Sequence, residues 1–334
     1  MACDPLAAMR IKLSYYFSQQ PLLRQTPGGT GYWRSHTFLA DNPAVKSCDA
    51  WVVLDDPAAE ETVRVEAGRT ILVTMEPPGL REYPAGYLAQ FDLVITCHPE
   101  LPHPNIRKDC QGLPWHAGLR KLEGGRMRGT ESATMGYDDF VAAAMPEKSA
   151  ALSVISSADT RLPGHRARLA FIEELRARLG DRIEVFGRDI RPVSDKLDAI
   201  LPYRYHLVLE NSRLSHYWTE KLSDSFLGWA WPIYWGCPNI GEYFSADAYS
   251  TLDIESANAV GIVESLIAHE LTPAQCDGLA RARDLVLHRY NLFDVLARAC
   301  ESLPAGIARD ATIRPLAHFR RPKLHRFLSR MTGG

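Results

Sequence analysis

Five polar side chains of kinds that bind charged ligands surround one predicted strand-to-helix turn, in the stretch HLVLENSRLSHYWTEK at 206–221. They are Glu210, Asn211, Tyr217, Glu220 and Lys221. The backbone N–H groups of a helix N-terminus, together with an ammonium group, make a binding site for a diphosphate. A lysine at this end of a helix opposes the helix dipole by about a few tenths of a kcal/mol unless an anion is bound. The Glu220 carboxylate can accept two hydrogen bonds from a vicinal diol such as that of a ribose, and Tyr217 can stack on or donate to a nucleotide.

A structural interpretation of the same turn stays open. In it, Glu210 and Lys221 form an ion pair that ties the loop, and Asn211 caps it. The following helix is predicted to begin at Thr219, a favourable N-cap residue, and to end before Gly228.

Two arginines precede another predicted helix, in SSADTRLPGHRARLAFIEEL at 156–175. Arg166 and Arg168 lie at or near its first turn, where cations are unfavourable unless an anion is present. They are candidates for a second contact on the same diphosphate. The alternative is that they are solvated or pair with Glu173 or Glu174.

One carboxylate ends a predicted strand in the first half of the chain, in ILVTMEPPG at 71–79. Pro77 and Pro78 cannot continue a strand or helix, so they fix the loop that carries Glu76. A partly desolvated glutamate has a raised pKa and can act as a general base. An ion pair between Glu76 and a nearby arginine is the alternative.

The elements that must position these residues alternate between short apolar strands and helices along the chain. Strands are predicted at 11–17, 50–54, 70–74, 91–97, 151–155, 182–186, 205–209 and 231–235. This pattern predicts an α/β fold with two Rossmann-like domains, whose parallel sheets face a central cleft. Ligands bind at the carboxyl ends of the strands in such sheets, where the candidate residues lie.

The length of 334 residues suits two domains of about 150 residues each. We predict a first domain at 1–148 with a linker near 120–148, a second at 149–310, and a basic tail at 311–334. Two helices are predicted near 273–288 and 292–303.

The bulk composition argues against several classes of protein. The net charge of −2 argues against nucleic acid as a partner, and no apolar run approaches the roughly 20 residues of a membrane span. Seven scattered cysteines without a Cys-x-x-Cys pair are typical of reduced thiols in a cytoplasmic protein, with no metal site expected. The tail between Arg314 and Arg330 is basic and carries apolar residues at helical spacing. Weak peripheral contact with the inner face of a membrane is one interpretation, and a solvated or packed tail is the other.

The block at 205–244 resembles the donor-binding core of the α1,3/4-fucosyltransferases, glycosyltransferase family 10. The resemblance rests on Glu-Asn-Ser at 210–212, Tyr-x-Thr-Glu-Lys at 217–221 and Pro-Ile-Tyr-Trp-Gly at 232–236, in the family's order and spacing. It implies a GT-B fold with GDP-fucose as donor in the second domain, a glycan acceptor in the first, and inversion at the anomeric carbon. The implied donor-binding residues are Arg168 (with Arg166 as the alternative), Asn211, Tyr217, Glu220 and Lys221, and the implied base is Glu76. We add Glu210 to the predicted donor-binding residues.

The resemblance also implies a reaction that requires no metal or other cofactor, and no Asp-x-Asp triplet is present. The expected product is an α1,3 linkage to a GlcNAc-type or related sugar of a surface polysaccharide. Two other functions remain open at this stage: a GT-B transferase with another sugar nucleotide, and a nucleotide-sugar-binding protein without turnover.

Overall fold

A computed structural model describes residues 8–17, 20–66, 69–120, 132–156, 163–187, 190–304 and 306–320. The strands of the first half are β1 (Arg10–Tyr15), β2 (Tyr32–Trp33), β3 (His36–Ala40), β4 (Ser47–Cys48), β5 (Ala50–Leu54), β6 (Glu61–Val65), β7 (Thr70–Val73), β8 (Leu93–Thr96) and β9 (Ile106–Lys108). Those of the second half are β10 (Ala150–Ile155), β11 (Ile183–Phe186), β12 (Tyr203–Leu209), β13 (Trp231–Trp235), β14 (Ser250–Thr251) and β15 (Arg309–Ile313). Each strand predicted from the sequence is present, with ends that differ by a few residues.

Seven helices connect or cover these strands within the described residues. They are α1 (Ala85–Leu88), α2 (Tyr137–Ala142), α3 (Pro163–Leu179), α4 (Glu220–Leu227), α5 (Ala259–Ile267), α6 (Pro273–Leu287) and α7 (Leu292–Glu301). Both predicted ends of α4 are confirmed, because the Thr219 side chain accepts a hydrogen bond from the Lys221 amide and Gly228 is the C-cap. Among the described residues, no helix has the length and apolar character needed to cross a membrane.

The first sheet has the order β2-β3-β1-β5-β7-β8-β9, and all neighbours are parallel except the β2–β3 pair. Chain order runs from β1 to β3 on one side and then from β5 to β8 on the other. The topological switch point therefore lies between β1 and β5, and ligands bind at the carboxyl ends of such a pair.

The second sheet has the order β11-β10-β12-β13-β14 and is parallel throughout. Its switch point lies between β10 and β12. Helices α3 and α5 cover one face, and α4 and α6 cover the other. The predicted α/β fold class with two Rossmann-like parallel sheets is confirmed.

The end of the predicted second domain packs on the first sheet instead. The apolar face of α7 joins the core of β1, β5, β7 and β8 through residues such as Leu292, Phe293 and Leu296. Strand β15 pairs with β6 in a small third sheet of order β15-β6-β4. The range 149–310 stays a prediction, although the amphipathic α7 near its end packs on the first sheet.

Two predicted segments fall partly outside the described residues. Of the predicted linker, 121–131 lie outside, and the described part packs on the second domain through Phe140. Of the predicted basic tail, 321–334 lie outside. Its first residues, 311–313, belong to β15 rather than to a tail, since they complete a hydrogen-bonded strand pair with β6.

Candidate functional site

The carboxyl end of β12 carries a buried carboxylate that organises the N-terminus of α4. Glu210 is fully buried and accepts hydrogen bonds from the Thr219 backbone N–H at 2.8 Å and from the Thr219 hydroxyl. Burial raises the pKa of Glu210, while Lys221 and the Thr219 hydrogen bonds act in the opposite direction. Glu210 therefore touches α4 directly and fixes where the helix begins.

Lys221 lies at this helix N-terminus beside Glu210. Its Nζ is 3.4 Å from Glu210 Oε2 and 3.1 Å from the Thr219 hydroxyl oxygen. The ion pair of the structural interpretation is thus present. Its length exceeds the roughly 2.7–2.9 Å of a strong charge-assisted hydrogen bond, and the ammonium is partly exposed.

Asn211 does not cap the turn, contrary to the structural interpretation. Its Oδ1 accepts a hydrogen bond from the Arg168 guanidinium at 2.7 Å, and the same guanidinium donates to the Leu209 carbonyl at 3.2 Å. Arg168 is buried and reaches from the second turn of α3 to the carboxyl end of β12, whereas Arg166 lies on the exposed side of α3. The structure therefore brings Arg168 to this end of the sheet.

Tyr217 is buried close to three carboxylates. Burial raises the pKa of its phenol well above the ordinary value, and Glu210, Glu76 and Glu220 add to the effect. The hydroxyl therefore stays protonated. The preceding His216 has a φ of 63°, a left-handed conformation that non-glycine residues adopt rarely and that is frequent at binding sites.

Glu220, the first residue of α4, lies beside two ammonium groups and the His116 imidazole, which is neutral at physiological pH because burial lowers its pKa to about 4. Its Oε1 lies 3.2 Å from Lys196 Nζ and 3.7 Å from both Lys221 Nζ and His116 Nδ1. Burial alone would raise the pKa of Glu220, but these three neighbours hold it well below the ordinary value. Glu220 is therefore ionised over the whole physiological range.

The first sheet places Glu76 at the carboxyl end of β7. Burial raises the pKa of Glu76, and the Asp55 and Glu220 carboxylates raise it further. Lys221 and Arg81 lower it, but by less. No ion pair of Glu76 is found in the described part of the chain, so the alternative of a tied glutamate is not realised. The loop backbone is held by His98, whose Nε2 lies 2.9 Å from the Glu76 carbonyl oxygen.

A second cluster lies at the switch point of the first sheet. Asp55, directly after β5, is fully buried and pairs with Arg81 and the Tyr83 hydroxyl, and it accepts a hydrogen bond from the Met75 amide at 3.3 Å. The Arg81 guanidinium lies 4.9 Å from the centre of the Tyr16 ring, which is 47% exposed. An exposed aromatic ring, backed by a fixed cation, therefore stands at the end of β1.

The two sheets present these residues to one another. Glu76 is within electrostatic range of Glu220, Lys221 and Tyr217 from the second sheet. A carboxylate of raised pKa from the first sheet thus lies near the N-terminus of α4 from the second. No group of three side chains able to hold a metal ion is found in the described ranges.

Sequence reasoning missed several residues of this site. Asp55 follows a predicted strand directly, so the rule that selected Glu76 could have found it. Tyr16 lies inside the strand predicted at 11–17 and follows only the shorter observed strand β1. Lys196 and His116 lie in segments without a clear pattern, and only tertiary contacts bring them to Glu220. No signal in the sequence pointed to them.

Comparison with known proteins agrees with the resemblance seen in the sequence. Residues 145–260 match the model described as glycosyltransferase family 10 (fucosyltransferase) C-term. No curated protein matches the chain. A crystal structure of an α1,3-fucosyltransferase with GDP is 16% identical at a TM-score of 0.49, with 91% of this chain and 93% of that chain covered. A second, with GDP-fucose, is 15% identical at a TM-score of 0.47, with 92% and 95% covered. Residues 145–260 therefore match the C-terminal domain of the glycosyltransferase family 10 fucosyltransferases, and a glycosyltransferase is the kind of enzyme to which this match points.

Proposed function

We propose that this protein is an inverting fucosyltransferase that moves fucose from GDP-fucose to a hydroxyl group of a glycan acceptor. The observation that carries the proposal is that Glu76, on the first sheet, lies close enough to Lys221 and Glu220 of the second for their charges to act on its pKa. A base on one side of the reacting centre and cationic groups on the other suit a single displacement. The expected linkage is α1,3 to a GlcNAc-type or related sugar of a surface polysaccharide.

The donor binds at the switch point of the second sheet. Lys221 and the N-terminus of α4 hold the diphosphate, with Arg168 as the second cation and Asn211 fixing the orientation of its guanidinium. Glu220 accepts hydrogen bonds from the ribose, and the neutral Tyr217 hydroxyl donates to the nucleotide. Glu210 binds no donor atom but holds Thr219 and Lys221 in position.

The reaction follows from the opposed charges. Glu76 takes the proton of the acceptor hydroxyl as that oxygen attacks the anomeric carbon, on the face opposite the diphosphate. The bond from the anomeric carbon to the diphosphate oxygen breaks, and GDP leaves with its bonding electrons. Because negative charge grows on the diphosphate, Lys221, Arg168 and the helix dipole stabilise the transition state more than the bound donor.

The acceptor binds at the switch point of the first sheet. Tyr16 offers an exposed aromatic face for a sugar ring beside Glu76, and Arg81 with Asp55 keeps that ring in place. This proposal places the acceptor hydroxyl next to the base.

No metal is required in this proposal, since side chains and the helix dipole neutralise the diphosphate. Unchanged transfer in the presence of EDTA is the expected result. We also propose a cytoplasmic enzyme whose basic tail touches an anionic membrane surface, on the grounds of its scattered cysteines and the charge of that tail.

The donor is tested by thermal unfolding with GDP, UDP, dTDP and CDP, on the wild type and on Lys221→Ala. A nucleotide at a hundred times its Kd adds about 2.7 kcal/mol of stability. We expect stabilisation by GDP that the variant loses, followed by fucose transfer with an inverted anomeric centre seen by NMR. Stabilisation by UDP or dTDP alone would overturn the fucosyl assignment. Tight GDP binding with no transfer to any glycan would overturn the catalytic one.

A further inference from the structure

Lys196 belongs to the second domain but not to the candidate donor-binding residues, and its side chain extends to one of them, Glu220. It begins a short 3₁₀ turn, Lys196–Ala199, which is capped by the Asp195 side chain. Its Nζ lies 3.2 Å from Glu220 Oε1 and 3.0 Å from Asp224 Oδ2, and its side chain is 19% exposed. Lys196 therefore bridges two carboxylates of α4 that lie one helical turn apart.

Asp224 fixes the position of Lys196 independently of Glu220. It is 1% exposed, and its Oδ1 accepts hydrogen bonds from the backbone N–H groups of His116 and Ala117 at 3.0 and 2.9 Å. Its other oxygen takes the Lys196 ammonium. With both oxygens engaged, Asp224 is a rigid anchor, and the ammonium has one defined place from which to act on Glu220.

The contacts of Glu220 divide between its two oxygens. Lys196, Lys221 and His116 all lie against Oε1. In the described part of the chain, no hydrogen bond or ion pair to Oε2 is found, and the side chain is 15% exposed. One oxygen thus contacts two ammonium groups and a neutral imidazole, while the other has no partner among the described residues.

We propose that Lys196 is a positioning residue for the donor, which holds Glu220 in one orientation so that its second oxygen accepts hydrogen bonds from the ribose hydroxyls. This inference rests on the proposed function, because it takes a nucleoside diphosphate as the ligand. Lys196 itself touches no donor atom. It acts through Glu220, and Asp224 acts through Lys196.

The ligand probes are GDP and its 2′-deoxy and 3′-deoxy analogues, with Kd measured by calorimetry. A hydrogen bond to a charged group contributes roughly 10- to 100-fold in affinity. In the wild type, we expect the Kd of at least one deoxy analogue to exceed that of GDP by this factor. In Glu220→Gln the ratio of the two Kd values should be close to one. In Lys196→Met the ratio should also fall towards one, because Glu220 is no longer held.

The control is Lys148→Met, which removes another partly buried lysine of the second domain. Lys148 donates to the carbonyl oxygens of Leu201 and Gly228 and forms no ion pair within the described residues. Its removal should leave the wild-type ratio unchanged. Lys196→Arg, which keeps a cation beside Asp224, should restore most of the ratio that Lys196→Met loses.

A pH profile separates positioning from general loss of structure. Lys221, Lys196 and His116 oppose the effect of burial on Glu220, while Glu210, Glu76, Asp224 and Tyr217 are the other titratable groups near it. In the wild type the deoxy ratio should be constant from pH 5 to pH 8. In Lys196→Met, any remaining difference in Kd between GDP and a deoxy analogue should shrink as the pH falls, because Glu220 takes up a proton. Titration of the phosphates does not change this ratio of Kd values, because GDP and its analogues carry the same phosphates.

The outcomes separate this inference from the proposed function. Failure of the wild type to bind GDP would overturn the proposed function. A wild type that discriminates the deoxy analogues, with the same ratio at every pH in a folded Lys196→Met, would overturn the role of Lys196 alone. Should that variant not fold, Lys196→Met with Asp224→Asn removes the pair together and keeps the acceptor for His116 and Ala117, and the same two results apply.

Discussion

Replacement of Glu76 by glutamine tests the proposed base with almost no change of shape. A general base contributes about 10²- to 10⁴-fold, so kcat/KM should fall by that factor, or about 3–5 kcal/mol in the barrier. The structure confines the effect to the chemistry, because no ion pair of Glu76 is found among the described residues and the carboxylate lies on the sheet opposite the donor site. GDP affinity should therefore change by less than about threefold.

The raised pKa of Glu76 gives the same variant two pH signatures. In the wild type, kcat/KM should decline on the acid side at a pH above the ordinary glutamate value of about 4.3, and this decline should vanish in Glu76→Gln. A carboxyl group with a raised folded pKa binds more protons in the folded state, so the free energy of unfolding falls as the pH rises through that interval. Glu76→Gln removes this penalty and should be more stable than the wild type at neutral pH.

The assay is initial-rate fucose transfer, with urea unfolding of the same samples. Glu82→Gln is the control, since Glu82 is exposed in the same loop and should leave both rate and stability unchanged. A loss of less than tenfold in Glu76→Gln, or a loss that GDP affinity shares equally, would refute the assignment of Glu76 as base.

Three further variants test the framework around the donor site. Gly236→Ala would bring a methyl group to 2.4 Å from Glu210 Cγ, so we expect a loss of about 1–3 kcal/mol in urea unfolding, while Gly241→Ala, with its nearest atom at 3.9 Å, should change little. Burial lowers the pKa of Lys148 to about 8, and the unfolded chain binds more protons up to about pH 10. Wild-type stability should therefore rise across that window by at most about 3 kcal/mol, and Lys148→Met should remove the rise. Arg168→Lys keeps the charge but not the planar donor groups, and calorimetry should show GDP affinity lower by about tenfold.

The parts of the site that follow strands were predictable because a strand ends where its apolar run ends. Glu210 and Asn211 directly follow such a run, and Glu76 follows another. In a parallel sheet the carboxyl ends share one edge, so three separate stretches could be assigned to two edges without knowledge of any contact. The start and end of α4 were equally local, since Thr219 and Gly228 act within one turn of the helix.

The parts that depend on long side chains and on helix docking were not predictable. Lys196 lies 24 residues from Glu220 along the chain. From the sequence alone, its ammonium group could pair with any carboxylate or with water. Only the packing of the 3₁₀ turn against α4 selects the pair. Similarly, the apolar face of α7 requires an apolar partner, but nothing in its sequence chooses between two sheets, and it packs on the first.

The position of Glu210 explains how a lysine can stand ready for an anion while buried carboxylates surround it. In the free protein, Glu210 and Thr219 hold Lys221 at the helix N-terminus and offset the unfavourable dipole. The contact to Glu210 is long, and Glu210 keeps its hydrogen bonds from Thr219 whether or not the ammonium stays. Movement of Lys221 towards a diphosphate therefore leaves no buried carboxylate without donors. Lys196 and Asp224, by contrast, hold each other, and Asp224 also accepts hydrogen bonds from the backbone of His116 and Ala117. In the proposed function, the site thus combines one lysine that can move to the diphosphate with one that holds the Glu220 carboxylate in place.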